Sequence, residues 1–367
     1  MPVLLVPILL ILLLGLPWFG VLLLGNDPST YLEFPPLTRY VQHADFSWPV
    51  FVALSLVIAA VLSPFVFRML VFGRPAPARS LKNPFPWWGW AGLVLTAAAW
   101  FLAWTRFPWF AWGQRFTFPF IWLGYILAVN AWTCRRTGTC LLRRSPADFA
   151  LLFPLSMVFW WFFEYLNRFV QNWYYVGIQG FSAWEYLLYA SLSFATVLPA
   201  VLGTSELLLS TRVFQTVFGR FRSLRPEKPK TLAQGVLVLA GLGLALIGIF
   251  PDVLFPLLWV APLLIVLAVL TLAGRKHMLH ALQHGDWSLV LASACAALVC
   301  GFFWEMWNVL SLAKWKYSIP FVQAFHVFEM PVLGYAGYLP FGLECAVVAE
   351  VFLGFRVQGD RPLMRGR

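Results

Sequence analysis

Charge is scarce in this chain. Of its 367 residues only 11% are charged and 61% are hydrophobic, with 15 Asp and Glu in all. A water-soluble globular domain needs a surface made largely of charged and polar groups, so that class is excluded. Cysteine is limited to five residues. Cys295, Cys300 and Cys345 lie in apolar runs and Cys134 and Cys140 in a basic connector, with no CxxC pair and partner, so neither a disulfide framework nor a zinc site is expected. None of the five histidines lies deep in a predicted helix, which argues against a haem held between membrane helices. His277, His280 and His284 share one helical face in a connector and read as a solvated or lipid-facing basic strip rather than a metal site. No metal or other cofactor is implied. An early positive charge and a small-residue cleavage site are also missing at the start, so residues 3–24 read as an uncleaved first helix. Gly241, Gly243 and Gly248 lie in mid-membrane, where they suit close helix packing rather than a phosphate loop.

Apolar runs of membrane-spanning length are abundant instead, and mean hydropathy is +0.77. Runs of 18 or more apolar residues predict transmembrane helices. The fold class is therefore all-α, a polytopic membrane protein of about ten transmembrane helices. The predicted spans are 3–24, 50–71, 86–106, 117–133, 148–170, 185–209, 231–249, 255–273, 287–310 and 330–355. Of the 26 Lys and Arg, all but Arg39, Arg106, Arg115, Arg168, Lys314 and Lys316 gather at alternate connectors and the C-terminal tail. That is the positive-inside pattern, and it predicts both termini in the cytoplasm, in a bacterial inner membrane. The net charge of +11 is thereby accounted for without nucleic acid as a partner, and the basic loops can also meet anionic lipid head groups.

Acidic residues recur in a pattern. Phe163-Glu164-Tyr165-Leu166-Asn167 and then Trp173-Tyr174-Tyr175 is followed by Glu185, Pro199 and Glu206. Trp304-Glu305-Met306-Trp307-Asn308 and then Trp315-Lys316-Tyr317 is followed by Glu329, Pro340 and Glu344. Glu164 to Glu305 and Pro199 to Pro340 are each 141 positions apart (305 − 164; 340 − 199). Phe107-Pro108 also resembles Phe250-Pro251, and Pro119 to Trp122 resembles Pro256 to Trp259. The pattern predicts two tandem four-helix repeats, 84–211 and 231–356, joined by a basic linker at 212–230, preceded by two extra helices in 1–83 and followed by a basic tail, 357–367. Four helices per unit give both the same orientation, with a pseudo-two-fold axis along the membrane normal and a shared site between them.

Carboxylates in hydrocarbon are costly and mark candidate functional sites. The candidate catalytic residues are Glu164, Asn167 and Glu206 with Glu305, Asn308 and Glu344. Each Glu/Asn pair is three residues apart and shares a helical face. Arg168 can pair with Glu164, whereas Val309 stands at the matching place in the second copy. The candidate substrate-binding residues are Trp161, Trp173, Tyr175, Glu185, Trp304, Trp307, Trp315, Tyr317 and Glu329. The W-x-Y pairs follow their helices at the outer interface, where such rings settle. A carboxyl among aromatic walls can act as a general acid, and aromatic faces stabilise a passing cation. The arrangement suits protonation of an alkene in a lipid-soluble isoprenoid.

The order W-[DE]-x-x-[AN], W-x-Y and P-x-x-x-E resembles that of the integral-membrane, heterodimer-type lycopene cyclases, which are also built from two tandem homologous units. Trp304-Glu305, Trp315-Lys316-Tyr317 and Pro340 to Glu344 carry the resemblance, with a weaker copy at Glu164, Trp173 to Tyr175 and Pro199. In that family paired acids follow the proline; here Glu344 stands alone, and in the first copy the acid comes later, at Glu206. Phe328 to Gly334 is similar to a segment in a group of uncharacterised bacterial polytopic membrane proteins. The cyclase resemblance implies acid-initiated cyclisation or isomerisation of a carotenoid without metal or redox cofactor. Two other classes fit the same glutamates. One is a proton-coupled transporter or channel, although no pair of short, interrupted helices is evident beyond the breaks that Pro199 and Pro340 can cause. The other is a membrane scaffold in which the glutamates only bond helices together.

Overall fold

The computed structural model describes residues 5–25, 27–35, 38–73 and 83–354. Arg74, Arg79, Lys82, Arg356 and the tail 357–367, all assigned to the basic face, lie outside the described residues. The chain runs through α1 (Leu5–Leu23), α2 (Trp48–Phe72), α3 (Trp87–Trp104), α4 (Thr117–Thr137), the single turn α5 (Leu141–Arg144), α6 (Pro146–Val170) and strand β1 (Trp173–Val176). It continues through α7 (Ala183–Phe194), α8 (Val197–Leu209), α9 (Pro229–Leu246), the turn α10 (Pro251–Leu254), α11 (Leu257–Leu272) and α12 (Ser288–Asn308). Strands β2 (Lys314–Tyr317), β3 (His326–Val327) and β4 (Met330–Pro331) precede α13 (Tyr338–Leu353).

Among the described residues eight helical segments are long and apolar enough to cross a membrane, counting α7 with α8 as one and the 3-10 turn Val332–Gly337 with α13 as another. These make the chain an all-α integral membrane protein. The apolar helices α3 and α11, of 18 and 16 residues, pack beside α4 and α9. In lipid, helices associate by close van der Waals contact rather than by hydrophobicity, so small residues mark the seams. At the α3–α4 seam a Cβ on Gly92 would stand 2.8 Å from the Gly124 carbonyl oxygen, and one on Gly124 would stand 2.6 Å from that of Gly92. Of the three mid-membrane glycines, Gly243 abuts Leu257, and Gly248 abuts Phe169 and Val21. None of the residues of α2 is buried, so this helix stands at the rim of the bundle.

Two features depart from the sequence expectation. First, the W-x-Y pairs are strands, not free interfacial side chains: β1 and β2 form an antiparallel ladder across the ends of α6 and α12. Its register sets Trp173 against Tyr317 and Tyr175 against Trp315. Second, two helices are interrupted at matching places. α7 stops at Phe194 and α8 restarts at Val197, while the 3-10 turn ends at Gly337 and α13 starts at Tyr338. Pro199 and Pro340 each lie in the first turn of the second piece, where a missing N–H costs little. The two restarts are again 141 positions apart (338 − 197).

Residues 38–47 cross over the ladder as extended chain. The Ser47 N–H donates to the Phe321 carbonyl (2.9 Å), the Phe321 N–H to that of Ala44 (3.1 Å), and the Ser318 hydroxyl to that of Val41 (2.7 Å). His43 is clasped between the Asp252 carboxylate (2.6 Å) and the Gln171 carbonyl (3.2 Å), tying this segment to the α9–α10 turn.

Candidate functional site

Glu164 and Glu305 are both fully buried, each close to the strand end of its helix. Because a buried acid must find donors, the surroundings of each carboxylate are informative. One oxygen of Glu164 accepts three bonds: from the Trp160 indole (3.0 Å), the Trp173 indole (3.0 Å) and the Tyr175 hydroxyl (2.6 Å). One oxygen of Glu305 likewise accepts from the Trp315 indole (3.3 Å) and the hydroxyls of Tyr317 (2.7 Å) and Tyr338 (2.7 Å). The second oxygen of each has no hydrogen-bond partner among the described residues. Both carboxylates thus sit in cages of aromatic donors.

The Asn167 and Asn308 side chains bond the departing backbone rather than the acids whose helical face they share. The Asn167 amide donates to the Trp173 carbonyl (2.8 Å) and its oxygen accepts from the Asn172 N–H (2.8 Å). Asn308 donates to the Trp315 carbonyl (2.8 Å) and accepts from the Trp315 N–H (3.0 Å). Each therefore pins the first turn of the following strand, and the strand returns the Trp and Tyr to the glutamate. Arg168 turns to the Glu33 carbonyl.

The third donor of each cage comes from a different element. Trp160 lies one turn before Glu164 on α6; the residue 141 positions later is Gly301. Tyr338 reaches Glu305 from α13; the residue 141 positions earlier is Val197. A Cβ on Gly301 would lie 2.4 Å from the Tyr338 ring, so the glycine makes room for that ring. Other aromatic rings cross between the two sites. Trp122 of α4 packs on Trp304 with ring centroids 5.1 Å apart, and Trp259 of α11 stacks on Phe163 at 5.2 Å and on Trp173 at 5.7 Å.

A cavity of about 1330 Å³ lies against both cages. Trp160, Trp173 and Tyr175 of one cage and Trp315, Tyr317 and Tyr338 of the other line it, together with Trp304 and Trp259. Aliphatic side chains of α2 and α3, among them Val57, Val61, Leu95 and Leu102, form the far wall. The volume exceeds the roughly 300–1,000 Å³ of ordinary small-molecule sites, and its walls offer an extended hydrocarbon both length and apolar contact.

The remaining candidate residues are distributed elsewhere. Glu206 accepts from the Leu141 N–H (2.8 Å) and pairs with Arg144 (2.8 Å). Glu344 is buried and accepts from the Leu263 N–H (3.0 Å), while its other oxygen has no partner among the described residues. These two acids fasten helices toward the basic end and do not line the cavity. Glu185 forms a capping box with Ser182 at the start of α7, and Glu329 pairs with Lys314 (2.5 Å). Trp161 donates to the Ser191 hydroxyl (2.9 Å), and Trp307 is packed among Trp122, Tyr125 and Phe303. Reading the sequence missed Tyr338, whose only signal was its place two residues before Pro340.

Of the three connector histidines, His277 is the best enclosed. Its Nε2 bonds the Thr271 hydroxyl (3.0 Å) and its ring lies edge-on to His280. Desolvation, with His280 adding to it, pushes its pKa down to about 4. The folded state therefore holds it neutral, and protons bind the unfolded chain more readily. Stability is expected to fall as pH drops from about 6.5 to 4, by about 1–2 kcal/mol after allowing for partial solvent screening. Unfolding in detergent across that window checks this: His277→Gln should flatten the slope, and an unchanged slope would contradict it.

Comparison with protein-family models, curated proteins and solved structures finds no match to this chain.

Proposed function

We propose that this chain is an integral-membrane enzyme that protonates a hydrophobic isoprenoid, such as a carotenoid, and so cyclises or isomerises it. The observation that carries this reading is the large apolar cavity walled by the donors of two buried carboxylates. Tyr175 and Tyr317 touch both the cavity and a glutamate, which makes them proton carriers between the two. With a proton on the shared glutamate oxygen, the hydrogen bond reverses and the phenolic O–H turns toward a double bond in the cavity. That proton adds to one alkene carbon, the phenolic oxygen takes the glutamate's proton, and the carboxylate is left ionised. The carbocation, held by the faces of Trp304 and Trp259, closes on a second double bond or shifts. Loss of a proton back through the tyrosine restores the acid. The sequence is redox-neutral and calls for no electron carrier.

The finer architecture belongs to the same proposal. The units 84–211 and 231–356 are taken as tandem repeats of like orientation, with 1–83 as an addition and 212–230 as a linker. The offset of 141 shared by Glu164 and Glu305, by Pro199 and Pro340 and by the two helix restarts supports this, as does the mirrored ladder. Both termini are placed in the cytoplasm of a bacterial cell, on the side of the basic connectors.

Expression in cells that accumulate a linear carotenoid is expected to change the pigment, and Glu305→Gln to return it to the parent profile. An unaltered pigment across several linear polyenes would count against the enzyme. A second reading, a proton-coupled transporter, is favoured by the paired helix interruptions, since broken helices at matching places are a transporter device. It predicts pH-dependent flux in liposomes that Glu305→Gln abolishes, with no new pigment.

A further inference from the structure

The cavity is not apolar throughout. At its strand end it meets two basic residues, Arg115 and Lys314, and the carboxamide of Asn172. Lys314 is already satisfied by Glu329 (2.5 Å) and the Val309 carbonyl (2.9 Å). Arg115 differs. Its guanidinium lies over the Phe181 ring, 5.2 Å from the centroid, and has neither a hydrogen bond nor an ion pair among the described residues. Two more of the cations at this end are engaged, Arg106 by the carbonyls of Ala103, Thr105 and Leu310 and Arg168 by that of Glu33. Asn172 is 3% exposed, yet its side-chain oxygen has no partner among the described residues, and the same is true of the Tyr186 hydroxyl, another residue of the cavity wall.

A buried polar group left unpaired in a folded protein costs free energy that a ligand can recover. Two such groups and an unengaged guanidinium border one hydrocarbon-lined space. A wholly apolar guest would leave both buried groups unsatisfied and would make no use of the exposed guanidinium beside them. An amphiphile would not: its chain fills the space between α2, α3 and the two cages, and its head reaches the guanidinium fork, which suits phosphate or carboxylate oxygens.

We propose that the cavity binds an amphiphile with one long apolar chain and an anionic head that keeps one O–H, as a phosphate monoester does: its oxygens accept from the Arg115 guanidinium and the Tyr186 hydroxyl, and its O–H donates to the Asn172 side-chain oxygen. This deepens the enzyme reading, because it adds to the apolar chamber a place for an acidic head, so that isoprenoids bearing one bind there in preference to neutral ones. It rests on that reading only for turnover; binding is independent of it.

The test uses the full chain in nanodiscs of neutral lipid, with tryptophan quenching as readout. Four probes are titrated: farnesyl monophosphate, farnesol, phosphatidic acid and inorganic phosphate. Farnesyl monophosphate is expected to bind about tenfold or more tightly than farnesol, the scale of a charge-assisted bond. Arg115→Gln, at an exposed position, should remove that preference and leave the affinity for farnesol in place. Asn172→Leu should weaken the monophosphate alone. Phosphatidic acid, with two acyl chains, is expected to compete poorly, and competition as strong as that of farnesyl monophosphate would overturn the single-chain assignment. Equal affinity for the alcohol and its phosphate, an undiminished preference in Arg115→Gln, or saturation by inorganic phosphate at the same concentration would each overturn the proposal. A retained preference with no pigment change in carotenoid cells would sink the polyene chemistry and leave this binding site standing.

Discussion

Glu305→Ala is expected to destabilise the protein by about 3–5 kcal/mol, and Glu305→Gln by much less. The carboxylate accepts three hydrogen bonds at one oxygen, from Trp315, Tyr317 and Tyr338; Glu305 and Tyr338 are buried, and Trp315 and Tyr317 are half-buried. Alanine strands three donors at once and opens a void, whereas glutamine keeps an acceptor oxygen of nearly the same shape. The loss also spreads. Trp315 and Tyr317 are the alternate residues of β2, and β2 holds β1, so the glutamate is the anchor of the ladder that seals this end of the bundle. Unfolding of both variants in the same detergent, followed by tryptophan emission, separates the two costs. If alanine and glutamine proved equally stable, the cage would not be what fixes the strands. The activity proposed above gives no such ranking, for glutamine removes the transferable proton as completely as alanine does. A variant that folds like the wild type and is inactive is the signature expected of Glu305→Gln.

Much of the helical framework could be read from hydropathy. The spans expected at 117–133 and 148–170 correspond to α4 and α6, and that at 287–310 to α12, because lipid-length apolar runs leave few alternatives. The candidate acids were also legible, since a glutamate inside such a run has no bland explanation that avoids a partner. Their partners were not. Trp173 and Trp315 lie 142 positions apart (315 − 173), and a four-residue strand has no local signature that distinguishes it from an interfacial aromatic belt. The ladder exists because the two helix ends meet in space, which hydropathy does not record. Asn167 and Asn308 misled for a related reason. Three-residue spacing correctly put each on its glutamate's face, but an amide this close to a helix end finds backbone groups of the departing chain first. Pro199 and Pro340 announced the helix breaks, two residues after each restart. Glu206 and Glu344 looked alike in order along the chain, yet one meets an arginine and the other a backbone N–H beside Pro262, so sequence order alone did not make them a pair.

The exchange of the third donor supplies the most demanding prediction. Gly301→Trp alone is expected to be severely destabilising, by about 3 kcal/mol or more, because the Cβ would already lie 2.4 Å from the Tyr338 ring before an indole is placed. Tyr338→Val alone should cost less, leaving Glu305 with two donors and a void where the ring stood. Together the two substitutions rebuild at Glu305 the arrangement that Trp160 and Val197 make at Glu164, with the indole filling the vacated space and its N–H replacing the lost hydroxyl. The double variant is therefore expected to be more stable than Gly301→Trp, with a coupling energy of about 2 kcal/mol or more in a double-mutant cycle. Independent sites would give a coupling near zero, and that result would remove the strongest reason for treating the two cages as copies of one ancestral site. A favourable coupling would mean that the chain has solved one buried-carboxylate problem twice, drawing its third donor from within the helix at one site and from across the helix pair at the other.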